Sequence, residues 1–324
     1  NLSFGDYFKQ DQIKWIFSFL VDTIGLDPTR IYTTCFRGNK EIHIPQDEES
    51  ARIWVEIFGT YGINAHIVDF SEKQGMQNGR IFYYDETKNW WSRSGIPKNM
   101  PEGEPGGPDS EMFWDFGAHL KQHENSQWKQ FPCHVNCDCG RFLEIGNSVF
   151  MEYIKIKNEF EPLAQKNVDF GGGLERIAAA KLDDPDIFRI DLFQPIIYKL
   201  ETISGKSYHG DDKKSFRIIA DHIRAAVFIL SDPKQISPSN TDQGYIIRRL
   251  IRRAIRYGKQ LGINEPIWTP VIANEIINSY KQTYTEMEDN LDFSLNALQN
   301  EEEKFASLKN KKARCACATY ADPG

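Results

Sequence analysis

Apolar positions recur at helical spacing from Trp15 to Ile24 after a polar start at Asp11, and Gly25 with Pro28 ends the run, which predicts one amphipathic helix. Arg30–Phe36, Glu41–Ile44 and Ala65–Phe70 alternate as strands do, and Glu49–Tyr61 between them carries a helical period. From Gly75 to Gly117 glycine, proline and aromatic residues crowd together, including Asn89-Trp90-Trp91. That stretch reads as a breaker-rich loop, either the wall of a pocket or a packed surface loop. Leu143–Tyr153 has strand character. A further strand ends at Val168-Asp169-Phe170, runs into Gly171-Gly172-Gly173 and meets a helix opening at Leu174. Beyond Lys181 a polar breaker through Asp186 leads into almost continuous helical periodicity to about Lys309, and the pattern lapses from Lys311 to Gly324. The order predicts an α+β domain over 1–180, an all-helical domain over 181–310 and a tail over 311–324 without regular pattern.

The composition fits a folded protein of two domains: 324 residues, 40% apolar and 26% charged. The longest unbroken apolar run, Ala225–Leu230, is far short of the roughly 20 residues of a membrane span, so no membrane partner is expected. Six cysteines without a secretory signal suit reduced thiols or metal ligands and a cytoplasmic location. The first residue is Asn1, and the apolar, aromatic opening that follows reads as the interior of a longer protein. A net charge of -7 excludes attraction of a polyanion by the molecule as a whole but leaves room for a local basic stripe.

Such a stripe lies between Ile246 and Arg256. At about 100° per residue Arg248, Arg249, Arg252, Arg253 and Arg256 gather on one side of a helix and the aliphatic residues on the other, with Lys259 beyond. A solvated face would intersperse acids, and none occurs from Ile246 to Gln260. The stripe therefore points to nucleic acid, the alternative being pairing with acids elsewhere in the chain. Just upstream, Ser237–Thr241 forms a turn, where Asn240 is placed to cap the helix.

The triple glycine allows close approach to the backbone, and the following helix offers its amino end and Arg176 to an anion. Asp169, at the end of the strand before it, suits an ammonium group. The plain alternative is a tight turn with a capping aspartate. Cys133, His134, Cys137 and Cys139 are close in sequence, with His119 and His123 before them. Cys133, Cys137 and Cys139 are zinc candidates, although Cys137-x-Cys139 is tighter than the common knuckle and lacks a second ligand pair at a longer interval. Phosphate-loop, serine-hydrolase and zinc-protease signatures do not occur in the sequence.

Five segments in order resemble the alanyl-tRNA synthetases, a family of class II aminoacyl-tRNA synthetases. Asn1–Lys9 is similar to the end of motif 2, Leu143–Met151 to the strand lining the amino-acid pocket, and Val168–Arg176 to motif 3. Ala220–Arg224, and Pro238-Ser239-Asn240 leading into Gly244–Arg249, resemble the tRNA-recognition domain. The resemblance implies an antiparallel class II sheet with flanking helices, followed by the helical domain. It implies ATP-dependent activation of alanine, with Mg2+, and transfer of the alanyl group to the 3' end of tRNA(Ala).

By the same resemblance Asp169 binds the α-ammonium of alanine, Trp91 and Asn147 orient the amino acid, and Gly171 leaves room for it. Phe4 would stack on adenine and Arg176 would hold the terminal phosphates. Asn240 would read the acceptor stem, and Arg248, Arg249, Arg252 and Arg253 would grip its phosphates. Motif 1 and the motif 2 arginine have no counterpart after Asn1, so the resemblance implies an N-terminally incomplete catalytic domain. Gly146, Ser148 and Asp109 depart from the residues common in relatives. Two rival readings are a catalytically inactive RNA-binding relative that keeps the basic helix, and a zinc-organised interaction module around Cys133–Cys139.

Overall fold

The computed structural model describes residues 2–157 and 159–318. The chain divides into two compact units, Asn1–Ile187 and Phe188–Gly324.

The first unit is built on one eight-stranded sheet. In chain order it contains β1 (Leu2–Phe4), α1 (Lys9–Ser18), β2 (Ile31–Phe36), α2 (Glu48–Thr60), β3 (Ile67–Asp69), α3 (Ser71–Gln74), β4 (Ile81–Tyr84), β5 (Trp90–Ser92), β6 (Pro105–Asp115), β7 (Phe142–Ile156), β8 (Glu159–Gly172) and α4 (Leu174–Leu182). The strands are ordered β1-β8-β7-β6-β2-β4-β3, with β5 on β6. All pairs are antiparallel except β2 with β4 and β3 with β4. Ile13 and Phe17 of α1 and Trp54 and Phe58 of α2 pack with Met112, Phe150 and Val168 of the sheet in the main core. Removing a large side chain such as Trp54 from such a core costs about 3–5 kcal/mol.

Two segments differ from the sequence expectation. Glu41–Ile44 is a turn closed by an isolated bridge between Asn39 and Ile44 and is not a strand. The supposed loop from Gly75 to Gly117 holds three strands, of which β6 is central. Its glycines act as contact residues: a Cβ at Gly107 would lie 2.0 Å from the Phe150 carbonyl oxygen of β7. The β6–β7 register shifts between Gly106 and Asp109, so Pro108 sits in a bulge, where a missing N–H is tolerated.

The second unit is helical: α5 (Gln194–Ser204), α6 (Lys213–Leu230), α7 (Asp242–Leu261), α8 (Thr269–Tyr280), α9 (Glu286–Asp289) and α10 (Leu291–Ala318). Ile247, Ile251, Ala254, Ile255 and Leu261 form the buried stripe of α7. A Cβ at Gly258 would lie 2.4 Å from the Trp268 ring, which accounts for glycine there. Helix α10 continues past Lys311, so the described part of the expected tail is helical; residues 319–324 lie outside the described residues. Among the described residues no helix is long and apolar enough to cross a membrane.

Candidate functional site

Directly paired residues of antiparallel strands share a face of the sheet. Glu111 pairs with Asn147, and Asn147 with Gly171, giving one row across β6, β7 and β8. In the adjacent row Asp109 pairs with Val149, Val149 with Asp169, and Asp169 with Leu2. Phe4, two residues beyond Leu2 in the short edge strand, lies on the same face and is 72% exposed. This face is opposite the core residues Phe150 and Val168. The register therefore collects Asp169, Asn147, Gly171 and Phe4 on one side of the sheet. A Cβ at Gly171 would meet nothing within 4 Å, so the space over that strand position is open.

Beneath this surface lies a polar floor in which Asn147, already expected in the site, and Asp109, noted in the sequence only as a departure from relatives, join Asn89, Thr34 and Glu111, which the sequence reading did not assign to it. Asn89 Nδ2 donates to Thr34 Oγ1 at 2.7 Å and to Asp109 Oδ1 at 3.0 Å. Thr34 Oγ1 donates to Glu111 Oε2 at 3.1 Å, and Asn147 Nδ2 to Asp109 Oδ2 at 3.3 Å. Asp109 and Glu111 are almost fully buried. Burial raises both carboxyls well above the ordinary range, with the nearby charge of Glu144 raising both further and that of Asp109 adding at Glu111. Asn147 Oδ1 has no hydrogen-bond partner among the described residues and remains an acceptor for a ligand. The i,i+2 spacing of Asp109 and Glu111 was the available signal, concealed by reading their strand as a loop.

Arg176, in the first turns of α4, donates through Nη1 to Glu144 Oε2 at 2.8 Å and to the Glu144 carbonyl at 3.2 Å. Its side chain lies over the glycine turn, where a Cβ at Gly173 would be 3.1 Å from its Cγ and Cδ. Together with Glu111, Asn136, Cys137 and Glu144 it lines a cavity of about 480 Å3. Asp169 and Asn147 share the sheet face of Glu111 but do not line that cavity. Trp91 is also outside that wall; its backbone pairs with Gly107, and its side chain is 39% exposed.

The connection from β6 to β7 brings His123, Cys133, Cys137 and Cys139 together, with one potential ligand atom from each inside a 4.8 Å cluster. His134, adjacent in sequence to Cys133, is engaged elsewhere, its Nδ1 lying 2.7 Å from the Tyr84 hydroxyl. Burial raises the Cys133 and Cys137 thiols, and the Cys139 sulfur raises both further, opposed at Cys137 by hydrogen bonds from the Cys139 and His134 backbone.

In the second unit, Arg248, Arg249, Arg252, Arg253 and Arg256 line a groove of about 460 Å3 with Tyr245 and Phe305. Arg248, Arg249, Arg253 and Arg256 form no ion pair among the described residues. Arg248 lies over the Tyr245 ring, and Arg256 beside Tyr257. Arg252 lines the same groove, and its Nε donates to the buried carboxylate of Glu301 in α10. Intramolecular pairing thus claims one arginine of the stripe. Asn240 is exposed and does not cap α7; Thr241 occupies that position, and no side chain caps it. The turn is held by Ser239 Oγ, which accepts from the Thr241 amide at 3.2 Å and donates to the Thr241 carbonyl at 2.8 Å.

The family model for tRNA synthetases class II (A) matches residues 1–311. The chain is 40% identical over 296 residues to the alanine–tRNA ligase of Treponema denticola, covering 90% of this chain and 44% of that protein. It is 38% identical over 310 residues to that of Borreliella afzelii, covering 94% and 46%. With the alanine–tRNA ligase of Pediococcus pentosaceus the identity is 37% over 315 residues, covering 94% and 31%. The chain spans less than half the length of these relatives. It belongs to the class II tRNA synthetase family, and the mostly antiparallel sheet with its separate helical unit accords with that membership.

Proposed function

We propose that the protein containing this chain is a cytoplasmic alanine–tRNA ligase, with the unit through Ile187 activating the amino acid and the helical unit binding the tRNA(Ala) acceptor stem. The observation that carries the reading is the sheet face on which Asp169, Asn147 and the open position at Gly171 lie together. Asp169 holds the alanine ammonium by a charge-assisted hydrogen bond, Asn147 Oδ1 accepts a second bond from it, and Gly171 leaves open space for the methyl side chain. Trp91 closes over the amino acid from β5.

ATP fits the remaining groups: the exposed Phe4 ring suits a base, and the half-exposed Arg176 suits the phosphates. ATP supplies the α-phosphorus that the alanine carboxylate attacks, the bond to the β-phosphate breaking as pyrophosphate leaves, and Mg2+ would neutralise charge on the phosphates. The chain's contribution is orientation and charge: Asp169 fixes the amine so that the carboxylate faces the nucleotide, and Arg176 exchanges its Glu144 partner for phosphate oxygens. Asn240, exposed in the turn before α7, reads the acceptor stem, while Arg248, Arg249 and Arg253 hold its phosphates. Alanine-dependent ATP–pyrophosphate exchange by the full-length protein tests the reading. Exchange with alanine well above that with glycine or serine supports it; RNA binding without any exchange would replace it with the inactive RNA-binding relative.

A further inference from the structure

The connection from Phe116 to Arg141 joins two central strands, yet among its described residues it contains only one short 3-10 turn, Ala118–Leu120. A long connection with so little regular structure needs another means of fixing its shape. Its buried side chains are few, and His123, Cys137 and Cys139 are among them. A tetrahedral zinc about 2.3 Å from sulfur and about 2.0 Å from nitrogen separates its ligand atoms by roughly 3.5–3.8 Å. His123 Nδ1 and Cys137 Sγ are 3.5 Å apart, and all four donor atoms lie within 4.8 Å of one another. The other imidazole nitrogen, Nε2, is 3.0 Å from the Phe131 carbonyl. A carbonyl only accepts, so Nε2 carries the proton and Nδ1 presents its lone pair to the three sulfurs. That second contact selects the tautomer of a metal ligand.

We propose that His123, Cys133, Cys137 and Cys139 bind one structural Zn2+ that fixes the β6–β7 connection as a wall of the cavity floored by Glu111. Four protein donors complete the coordination and leave no open position, so the ion has no catalytic part. Binding releases three thiol protons to solvent and leaves a site of net charge -1, near which the Arg141 guanidinium lies on the Cys133 side. Cys137 and its neighbour Asn136 line the cavity, and Asn136 Nδ2 points to Glu111 Oε2 at 3.5 Å. The ion would therefore order the wall facing the carboxylate floor. The distant fourth ligand that the cysteine spacing alone lacked is His123.

Metal analysis of the full-length protein, purified without chelator, tests the site against Cys137→Ser. The wild type is expected to hold one more zinc per chain than the variant, and equal zinc contents would overturn the proposal. A disulfide among Cys133, Cys137 and Cys139, detected by mass spectrometry of unreduced protein, would also overturn it. If Cys137→Ser cannot be purified, His123→Cys carries the test because it retains four donors. Zinc should remain bound, and its X-ray absorption should show one nitrogen near 2.0 Å replaced by sulfur near 2.3 Å. An unchanged spectrum overturns the assignment.

Discussion

On the sheet of the first unit, Asp109 and Glu111 are withdrawn from solvent and each is held by neutral side-chain donors. In the groove of the second unit, Arg248, Arg249, Arg253 and Arg256 form no ion pair among the described residues, and Arg249, Arg253 and Arg256 are exposed. A buried hydrogen-bonded network resists rearrangement and can fix a small ligand atom by atom. Exposed guanidinium groups adapt to a flexible polyanion and act mainly through charge. The contrast suits small-molecule chemistry on the sheet and phosphate contact on the helix, and it can be tested by disabling each surface in turn.

The largest effect is expected from Asp169→Ala, which removes the proposed ammonium partner. Alanine-dependent exchange should fall on the order of 100- to 1,000-fold, as when one preorganised electrostatic partner is lost from an active site. RNA affinity should be unchanged in a filter-binding assay. Parallel loss of both would mean that the two surfaces are not separable.

Replacing Arg248, Arg249, Arg253 and Arg256 together by alanine should reverse that pattern. If each arginine contacts a phosphate, the slope of log affinity against log salt should become shallower by about 3. Exchange should persist. Arg252→Ala is expected to behave differently from its neighbours: it strands the buried Glu301 carboxylate and should lower stability by about 1–2 kcal/mol in urea unfolding. A wild-type unfolding midpoint with a shallower salt slope would return Arg252 to the phosphate-binding set.

A third measurement concerns pH. Burial raises the folded-state pKa of Glu111 above its unfolded value, so the native state binds more protons than the unfolded chain. Its contribution to stability is fully present below the unfolded pKa, near 4, and is lost as pH rises through the raised folded value. Glu111→Gln keeps the shape and removes the titration. Its stability relative to wild type should therefore improve from pH 5 to pH 8, by on the order of 1 kcal/mol. A difference independent of pH would show that Glu111 titrates alike in both states.

Features set by near neighbours were the legible ones. Strand Arg30–Phe36, helix Glu49–Tyr61 and the strand–glycine–helix turn at Gly171–Gly173 were read within a residue or two of β2, α2 and the β8–α4 junction. Central strand β6 was obscured because Gly107 answers to Phe150 of another strand, whereas glycine and proline in isolation signal a loop. With β6 went the facing pair Asp109 and Glu111. Arg252 could not be distinguished from its neighbours because its acid, Glu301, arrives from another helix. The cysteines were visible as a group, but the choice of His123 over His134 depends on contacts with Phe131 and Tyr84.

The smallest and most discriminating change is Gly171→Ala. Its backbone does not require glycine by φ, and the added methyl would enter open space. Replacing glycine in a compatible strand conformation reduces the freedom of the unfolded chain, so stability should stay level or rise by about 0.4–1 kcal/mol. If that space receives the side chain of alanine, the same methyl must compete with it, and KM for alanine in the exchange assay should increase about 5- to 10-fold while KM for ATP stays constant. About 1 kcal/mol, the scale of one methylene, corresponds to that ratio. Unchanged KM values in a normally folded variant would move the amino acid away from Gly171 and leave Asp169 without its proposed ligand. A rise in KM for ATP alone would instead assign the opening to the nucleotide. The position thus separates the two halves of the proposed site without disturbing the fold that presents them.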